Sequence, residues 1–241
     1  MGYKKIYESQ YGEKKLIAQK QLPLFGLRKI LKRWDINRYD MAYKLAPKGE
    51  RVLDVGCGNG YMLFRLIDKY TELYGIDIAP SRLDEARKTV AERECDLPNR
   101  FYFYEGNLDR TMEFESDFFD TIICLATLEH VYDIYSVVEE IYRILKPSGD
   151  VIVEVPNIAY LKYRIKLLLG ILPITSSPHN WEEIGWEGGH IHYFTLKKFC
   201  ELFESRGFKI TEKTGGGFLA PFRNWRPSLL TGDIIIKAMK P

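Results

Sequence analysis

Residues 51–60 read RVLDVGCGNG, an apolar run that contains a carboxylate and continues into three glycines at alternate positions. The apolar residues predict a buried strand, and the glycines predict a turn whose backbone a ligand can approach closely. Residues 61–70 predict a helix, and the first N–H groups of a helix favour an anionic ligand. The stretch therefore predicts a strand, a turn and a helix, with a ligand site at the turn.

Strand and helix patterns continue to alternate after this unit. Further strands are expected at 72–77, 100–105, 120–126 and 150–155, with helices at 80–94 and 135–145 between them. This alternation is typical of a doubly wound α/β fold, with a parallel sheet and helices on both faces. Residues 157–194 do not continue this alternation of strands and helices. A helix at 195–206 and two strands, at 208–213 and 233–239, are predicted beyond them.

The composition excludes several classes of protein. With 35 Lys and Arg against 33 Asp and Glu, the net charge of +2 does not favour nucleic acid as a partner. The four cysteines, at positions 57, 95, 124 and 200, form no C-x-x-C pair. This spacing predicts neither a zinc framework nor a disulfide-rich secreted domain, so we expect reduced thiols and a cytoplasmic protein.

The glycine spacing narrows the class of ligand. A dinucleotide-binding turn needs G-x-G-x-x-G, but residue 61 is Tyr, so the turn is not suited to a pyrophosphate. Asp77 ends the second strand, where a carboxylate accepts both ribose hydroxyls and repels a 2′-phosphate. Ile78 can cover a purine face, and Asn107 can bind the edge of the ring. The sequence predicts a nucleoside without a 2′-phosphate.

Five segments carry a family resemblance in their order and spacing: VLDVGCGNG, YGIDIAP, EGNL, FDTIICLATLEHV and LKPSGDVIVEVPN. They resemble the motifs of class I S-adenosylmethionine-dependent methyltransferases over about residues 48–156. Residues 157–210 further resemble ubiquinone-type methyltransferases, some of which act on glycans or lipid-linked precursors. The resemblance implies a Rossmann-like, seven-stranded sheet, mostly parallel with an antiparallel last strand. It also implies S-adenosylmethionine as cofactor and S-adenosylhomocysteine as product.

The same resemblance assigns cofactor-binding residues. The glycine turn would face the methionine part, whose ammonium would be held by Asp54 and the backbone near Leu125 and Ala126. Ribose would bind Asp77, and adenine would bind Asn107 and Leu108. Many relatives have Asp at position 107, and a turn-stabilising Asn is the alternative interpretation. The full expected set is Asp54, Gly56, Cys57, Gly58, Gly60, Asp77, Ile78, Asn107, Leu108, Leu125 and Ala126.

His130 follows the fourth strand, in the stretch Leu-Glu-His-Val, and is our candidate catalytic base. A neutral imidazole there would face the methyl group and could accept a proton from the methyl acceptor. The alternative is that Glu129 and His130 only orient a loop or the cofactor.

Aromatic residues and histidines in the 157–194 interruption are expected to line the pocket for the methyl acceptor, unless they only pack an inserted lobe. A metal site is not predicted, because no Cys or carboxylate stands at a partner spacing from the His-x-His stretch. The predicted substrate-binding residues are Tyr160, Trp181, Trp186, His190, His192 and Tyr193.

We predict an N-terminal helical lid at 1–48 and a methyltransferase domain at 49–241, with an acceptor-side insertion at about 157–194. Basic, apolar stretches at 22–34 and 160–169 suit either lids or peripheral membrane contact.

The expected function is methyl transfer to a small molecule: a glycan, a lipid-linked intermediate or a quinone-like intermediate. The alternatives are an NAD-dependent oxidoreductase, which Tyr61 opposes, and a non-catalytic nucleoside-binding module. The sequence contains no signal for an oligomeric state.

Overall fold

The computed structural model of the protein describes residues 34–92, 100–176 and 189–241. Within these ranges, seven strands form one sheet in the order β3-β2-β1-β4-β5-β7-β6. The strands are β1 Gly49–Val55, β2 Tyr70–Asp77, β3 Phe101–Glu105, β4 Phe119–Leu125, β5 Leu145–Pro156, β6 Lys209–Thr214 and β7 Asp233–Met239.

Helices lie between most of these strands, and a 3₁₀ turn at Leu128–His130 follows β4. The α-helices are α1 Arg38–Leu45, α2 Tyr61–Arg65, α3 Pro80–Ala91, α4 Ile134–Ile144, α5 Leu161–Leu168, α6 Leu196–Glu204, α7 Ala220–Arg223 and α8 Pro227–Leu230.

Strands β1 to β5 are parallel, and β7 is antiparallel to both of its neighbours, β5 and β6. The predicted doubly wound, seven-stranded sheet with an antiparallel last strand is confirmed. The strand order reverses at β1, which lies between β2 and β4. In such sheets, the crevice at the carboxyl ends of the strands beside this reversal is where ligands bind.

The central strands bury both faces, because successive side chains point to opposite sides of the sheet. Leu53 and Ile122 belong to one core cluster, whereas their neighbours Val52 and Ile123 belong to the other. Helices cover both clusters. These strands therefore read as nearly continuous apolar runs, as expected for a sheet covered on both faces.

Helix α1, which lies within the segment 1–48 that the sequence predicts as a lid, packs against the core of the sheet. Met41, Ala42 and Ala46 are buried in the same cluster as Val52. Ile36, just before the helix, also forms a bridge with Gly217. The described part of this segment is thus integrated into the fold, and residues 1–33 lie outside the described residues.

The bounds of two elements differ from the sequence expectation. Helix α2 ends at Arg65, not near residue 70, because Tyr70 already belongs to β2. The Arg100 guanidinium donates hydrogen bonds to the carbonyls of Ile67 and Thr71 at 2.9 and 2.8 Å. These bonds stabilise the segment between the end of α2 and the start of β2. Strand β5 begins at Leu145, directly after α4. Each helix of the described residues is too short or too polar for a transmembrane span.

Candidate cofactor and methyl-acceptor site

The turn after β1 has a backbone that suits glycine. Gly56, Gly58 and Gly60 all have positive φ angles, of 76°, 53° and 76°. A Cβ on Gly56 would lie 2.2 Å from Oγ1 of Thr127, which follows β4. The hydroxyl of Thr127 in turn donates to the carbonyl of Val55 or Leu125, at 3.2 and 3.1 Å. The tips of β1 and β4 therefore touch, and only glycine fits between them.

Asp77, at the tip of β2, fixes the position of the glycine turn. Its Oδ2 accepts a hydrogen bond from the Gly58 amide at 2.8 Å, and its Oδ1 accepts one from the Ala79 amide at 2.9 Å. The residue is 5% exposed, and this burial raises the pKa of the carboxyl group although both amides oppose the shift. Each carboxylate oxygen can accept a further hydrogen bond, so the orientation suits the two hydroxyls of a ribose.

Asp54, near the tip of β1, is 4% exposed. Burial, and secondarily the charge of Asp77, raises the pKa of its carboxyl group to about 8. A buried carboxyl group with a raised pKa is protonated at neutral pH. When a cation binds beside it, the positive charge stabilises the ionised form. The ammonium of a methionine moiety is such a cation.

A cavity of about 410 Å³, part of it open to solvent, lies at the carboxyl edge of β1, β2, β3 and β4. It brings together five of the predicted cofactor residues, from three separate turns, with the candidate base. Its lining consists of Gly56, Asp77, Ile78, Asn107, Leu108, Asp109, Thr127, His130 and Val131.

The remaining predicted cofactor residues do not line this cavity: Asp54, Cys57, Gly58, Gly60, Leu125 and Ala126. The Cys57 side chain is buried behind the turn, in contact with the position that a Cβ on Gly75 would occupy. Asn107 accepts a hydrogen bond from the Asp109 amide at 3.0 Å, so it stabilises its own turn while it faces the cavity. Both interpretations of Asn107 are compatible with this geometry.

Residues 189–192, which we call the histidine segment, lie on the 3₁₀ turn after β4. The Nδ1 atom of His130 lies 2.7 Å from the carbonyl oxygen of Gly189. The carbonyl of Glu129 accepts the amides of Ile191 and His192, at 2.9 and 3.3 Å. This docking brings a segment from after α5 to the wall of the cavity.

The predicted methyl-acceptor residues do not all come to one place. His190 and His192 reach the turn after β4: the rings of His190 and His130 lie 4.9 Å apart, and His192 Nε2 lies 3.2 Å from the Tyr132 carbonyl. Tyr193 is half exposed. Tyr160 instead packs against the guanidinium of Arg223 at 5.2 Å. Trp181 and Trp186 lie outside the described residues.

The structure also reveals an ion pair at the carboxyl edge of β5, between a half-buried arginine and a fully buried glutamate. Arg38, the first residue of α1, contacts Glu154 with an Nη1–Oε2 distance of 3.0 Å. Burial raises the pKa of the fully buried Glu154 to about 7, opposed mainly by Arg38, while the charge of Asp233 raises it further. The one sequence signal for this pair is a carboxylate within the apolar run of β5. Nothing in the sequence around Arg38 predicts it.

Glu129 is a second buried carboxyl group close to this ion pair. It is 1% exposed, and its Oε2 atom has no hydrogen-bond partner among the described residues. Burial, followed by the charge of Glu154, raises the pKa of its carboxyl group well above the usual range. Glu129, His130 and His190 each place one donor atom within 4.8 Å of the others, close enough for three ligands of a metal ion.

Known proteins resemble this chain over most of its length. A family model described as a methyltransferase domain matches residues 28–213. The ubiquinone biosynthesis O-methyltransferase of Alkalilimnicola ehrlichii is 31% identical over 141 residues, which cover 56% of this chain and 55% of that protein. The enzyme of the same name from Aeromonas salmonicida is 27% identical over 183 residues, which cover 73% of this chain and 69% of that protein. In most of the curated relatives, the chain spans about half of the length.

Solved structures show the same fold at low sequence identity. The structure of a Haloferax volcanii methyltransferase complex with the activator Trm112 matches with a TM-score of 0.62 and 21% identity, over 90% of this chain and 92% of that chain. An S-adenosylmethionine-dependent methyltransferase from Mesorhizobium loti matches with a TM-score of 0.60 and 17% identity, over 83% and 96%. From the family model, which spans most of the sheet and the whole described cavity, the chain belongs to the class I S-adenosylmethionine-dependent methyltransferase family.

Proposed function

We propose that this protein transfers a methyl group from S-adenosylmethionine to a hydroxyl group of a small, quinone-like molecule. The observation that carries the proposal is that one cavity is lined both by Asp77 and Asn107, which suit a nucleoside, and by His130. The names of the curated relatives, O-methyltransferases of ubiquinone biosynthesis, support the choice of methyl acceptor.

The cofactor is held by residues that follow three neighbouring strands. Asp77 accepts the ribose hydroxyls, Asn107 and Leu108 contact the adenine, and Gly56 allows the methionine part to approach the backbone. Asp54 balances the ammonium group from behind the turn. When bound, S-adenosylmethionine supplies a methyl group on a sulfonium, whose leaving group is a neutral thioether.

The methyl acceptor binds on the His130 side of the cavity. The protein contributes mainly by alignment, which can lower a barrier by about 7–11 kcal/mol when two reactants are held in line. A hydroxyl group must also lose its proton to become a good nucleophile, and His130 stands beside the place where this happens. The histidine segment and Tyr193 form the wall around the acceptor, and the roles predicted for Tyr160, Trp181 and Trp186 stay predictions.

Helix α5 supports a peripheral contact with an anionic membrane, where a quinone-like substrate with a lipid tail would be found. None of its residues is buried. The helix combines basic side chains with apolar ones that are exposed to solvent, and the apolar character continues after its end. The residues concerned are Leu161, Lys162, Arg164, Ile165, Lys166, Leu167, Leu168, Leu169, Ile171 and Leu172.

The cytoplasm is the location that we propose, because Cys57, Cys124 and Cys200 are free and buried, as expected of reduced thiols. The division into a lid at 1–48 and a methyltransferase domain at 49–241 is likewise retained as a proposal, with α1 shared between the lid and the core.

Calorimetry and a transfer assay test the function. We expect S-adenosylmethionine and S-adenosylhomocysteine to bind with one site per chain, and NAD to show no binding. Radiolabelled methyl groups should then appear on a demethylated quinol or a catechol, and not on an apolar analogue that lacks the hydroxyl groups. Absence of binding by both sulfur nucleosides at millimolar concentration would refute the proposed function.

A further inference from the structure

We propose that Asp109 and His192 are positioning residues of the transfer, which hold the loop between His130 and α4 from two sides. Both act through one peptide group, the group that joins Tyr132 to Asp133. The proposal rests on the proposed function, because this loop continues from the candidate base. It deepens that function by naming the contact through which the cofactor side of the cavity acts on the acceptor side.

Asp109 belongs to the turn after β3 and reaches the loop after β4. Its Oδ1 atom accepts hydrogen bonds from the amides of Tyr132 and Asp133, at 2.7 and 3.1 Å. Asn107 orients the turn, since its side chain accepts a hydrogen bond from the Asp109 amide at 3.0 Å. Asn107 and Asp109 also line the cavity together. One short turn therefore faces the proposed position of the nucleoside and supports the loop.

His192 holds the same loop from the histidine segment. Its Nε2 atom lies 3.2 Å from the carbonyl oxygen of Tyr132, and its backbone amide donates to the carbonyl of Glu129 at 3.3 Å. A carbonyl oxygen only accepts, so Nε2 carries the hydrogen in this contact. The two carbonyls come before and after His130 in the sequence. His192 therefore binds the backbone on both sides of the candidate base.

The two supports meet on one peptide group. This group consists of the Tyr132 carbonyl and the Asp133 amide. Asp109 accepts its N–H, and His192 donates to its C=O. Hydrogen bonds at the two ends of a peptide group polarise it and strengthen each other. Loss of one support therefore weakens the other.

The far end of the loop is anchored on the core. Asp133 is the N-cap of α4, and its side chain accepts backbone amides in the first turn of that helix. Between this cap and His130 lie Val131, which is buried, and Tyr132, which is 83% exposed. A residue this exposed gains little from packing. Hydrogen bonds to its backbone therefore set its position.

Cofactor binding strengthens this support. Asp109 is exposed, so water competes for its carboxylate. A nucleoside in the cavity would cover the turn and exclude that water, and hydrogen bonds to a charged group strengthen as the local dielectric falls. Bound cofactor thereby tightens the loop, and with it His130 and the histidine segment. The methyl acceptor should bind the cofactor complex more tightly than the free protein, and this coupling is reciprocal.

Hydrogen exchange tests the contact without turnover. Saturation of the full chain with S-adenosylhomocysteine should slow the exchange of amides in residues 131–133 and in the histidine segment by at least about tenfold. Asp109→Ala should abolish this protection in both stretches. Glu113→Ala, which removes an exposed carboxylate from the same connection between β3 and β4, is the matched control and should behave like wild type. Protection of the histidine segment that persists in Asp109→Ala would overturn the proposal.

Kinetics distinguishes positioning from a general loss of stability. With a catechol or a demethylated quinol, Asp109→Ala and His192→Ala should each lower kcat by at least about tenfold, because small misplacements are costly in an aligned transfer. The Kd of S-adenosylmethionine without acceptor should change by less than about fivefold, and the midpoint of urea unfolding should stay close to that of wild type. Asp109→Asn, whose amide oxygen can accept both backbone amides, should restore kcat to within about threefold of wild type.

A double variant tests whether the two residues share one target. Asp109→Ala combined with His192→Ala should lose no more kcat than the more severe single variant, since both residues support one peptide group. Losses that multiply would mean independent roles and would overturn the proposal.

The outcomes separate this proposal from the function on which it rests. Failure of the wild-type chain to bind S-adenosylhomocysteine would refute the proposed function itself. Normal cofactor binding, together with an Asp109→Ala variant that matches wild type in exchange and kcat, would overturn the positioning role alone. The exchange experiment needs no methyl acceptor, so it decides the proposal whichever acceptor the enzyme uses.

Discussion

The two halves of the site are built in different ways. On the cofactor side, Gly56, Asp77 and Asn107 each follow their own strand, and neighbouring parallel strands end at the same edge of the sheet. On the acceptor side, His130 meets Gly189, which is 59 residues away in sequence and lies beyond β5 and α5. The first half follows from the topology of the sheet. The acceptor side depends on how one inserted segment docks. Its residues can therefore change without altering the cofactor side.

The largest expected effect is the loss of cofactor binding when Asp77 is removed. Asp77→Ala eliminates the acceptors of two backbone amides and of two ribose hydroxyls, and hydrogen bonds to charged groups contribute about 1.5–3 kcal/mol each. We expect S-adenosylmethionine affinity to fall by at least about 150-fold in calorimetry. Asp84→Asn, an exposed carboxylate on α3, is the control and should bind normally. A loss below tenfold would mean that the ribose binds elsewhere.

Gly56→Ala should test how tightly the strand tips meet. The added Cβ would clash with Thr127 at 2.2 Å and would require a left-handed backbone. We expect the free energy of unfolding in urea to fall by about 3 kcal/mol. The double variant Gly56→Ala with Thr127→Ala removes the clashing atoms and should recover a part of that loss. Equal stability of the single and double variants would show that the contact does not matter.

His130→Ala should separate the two halves functionally. Removal of a group that acts on the proton of the methyl acceptor should lower turnover by about 10- to 100-fold. Affinity for S-adenosylmethionine should change by less than threefold, because in the proposed function the nucleoside is held by Asp77, Asn107 and Leu108. A parallel loss of cofactor affinity would show that the halves are not independent.

Cofactor affinity should depend on pH through Asp54. Burial raises the pKa of this carboxyl group to about 8 in the ligand-free protein, so the group holds a proton at neutral pH and loses it when the cofactor ammonium binds. Binding therefore releases a proton, and affinity should rise close to tenfold between pH 6 and pH 7. Calorimetry in buffers of different ionisation enthalpy measures the release directly. Asp54→Asn should abolish the pH dependence, and a pH-dependence that persists would contradict the assignment.

The smallest expected effect concerns α5. Lys166→Gln should weaken binding to phosphatidylglycerol vesicles at low salt by about fivefold, because each basic residue near an anionic surface contributes about 1 kcal/mol. Lys88→Gln, on the exposed face of α3, is the matched control and should bind like wild type. Absence of vesicle binding by the wild-type chain would remove the membrane contact from the proposed function.

Much of the fold could be predicted because its signals are local. The positive φ angles of the glycine turn, the Thr195 cap of α6 and the buried strand β4 all fall where the residue types require them. Helix α2 was expected to be longer, because its apolar residues continue beyond Arg65 and a periodic pattern does not reveal where a strand takes over. The capping contacts of Arg100 that end it come from a distant part of the chain.

In the candidate site, too, the residues with local sequence signals were predictable and those that depend on long-range packing were not. Asp77 and Asn107 were predictable, because a polar residue at the end of an apolar strand in this fold faces the crevice. Arg38 and Glu154 were not predicted as a pair, since one precedes the sheet and the other lies within its fifth strand, 116 residues later. Their contact exists only because α1 packs against the carboxyl edge of β5.

The sequence by itself determined the alternation of strands and helices and the nucleoside side of the cavity. These follow from alternating apolar runs, from glycines that tolerate positive φ, and from carboxylates at strand ends, whereas the antiparallel last strand was implied by the family resemblance. The tertiary structure alone decided that Glu129, His130 and His190 converge and that the half-buried Arg38 lies beside the fully buried Glu154. The physical reason is that burial and long-range docking set the environment of a charge, and neither is encoded by the residues adjacent to it in the chain.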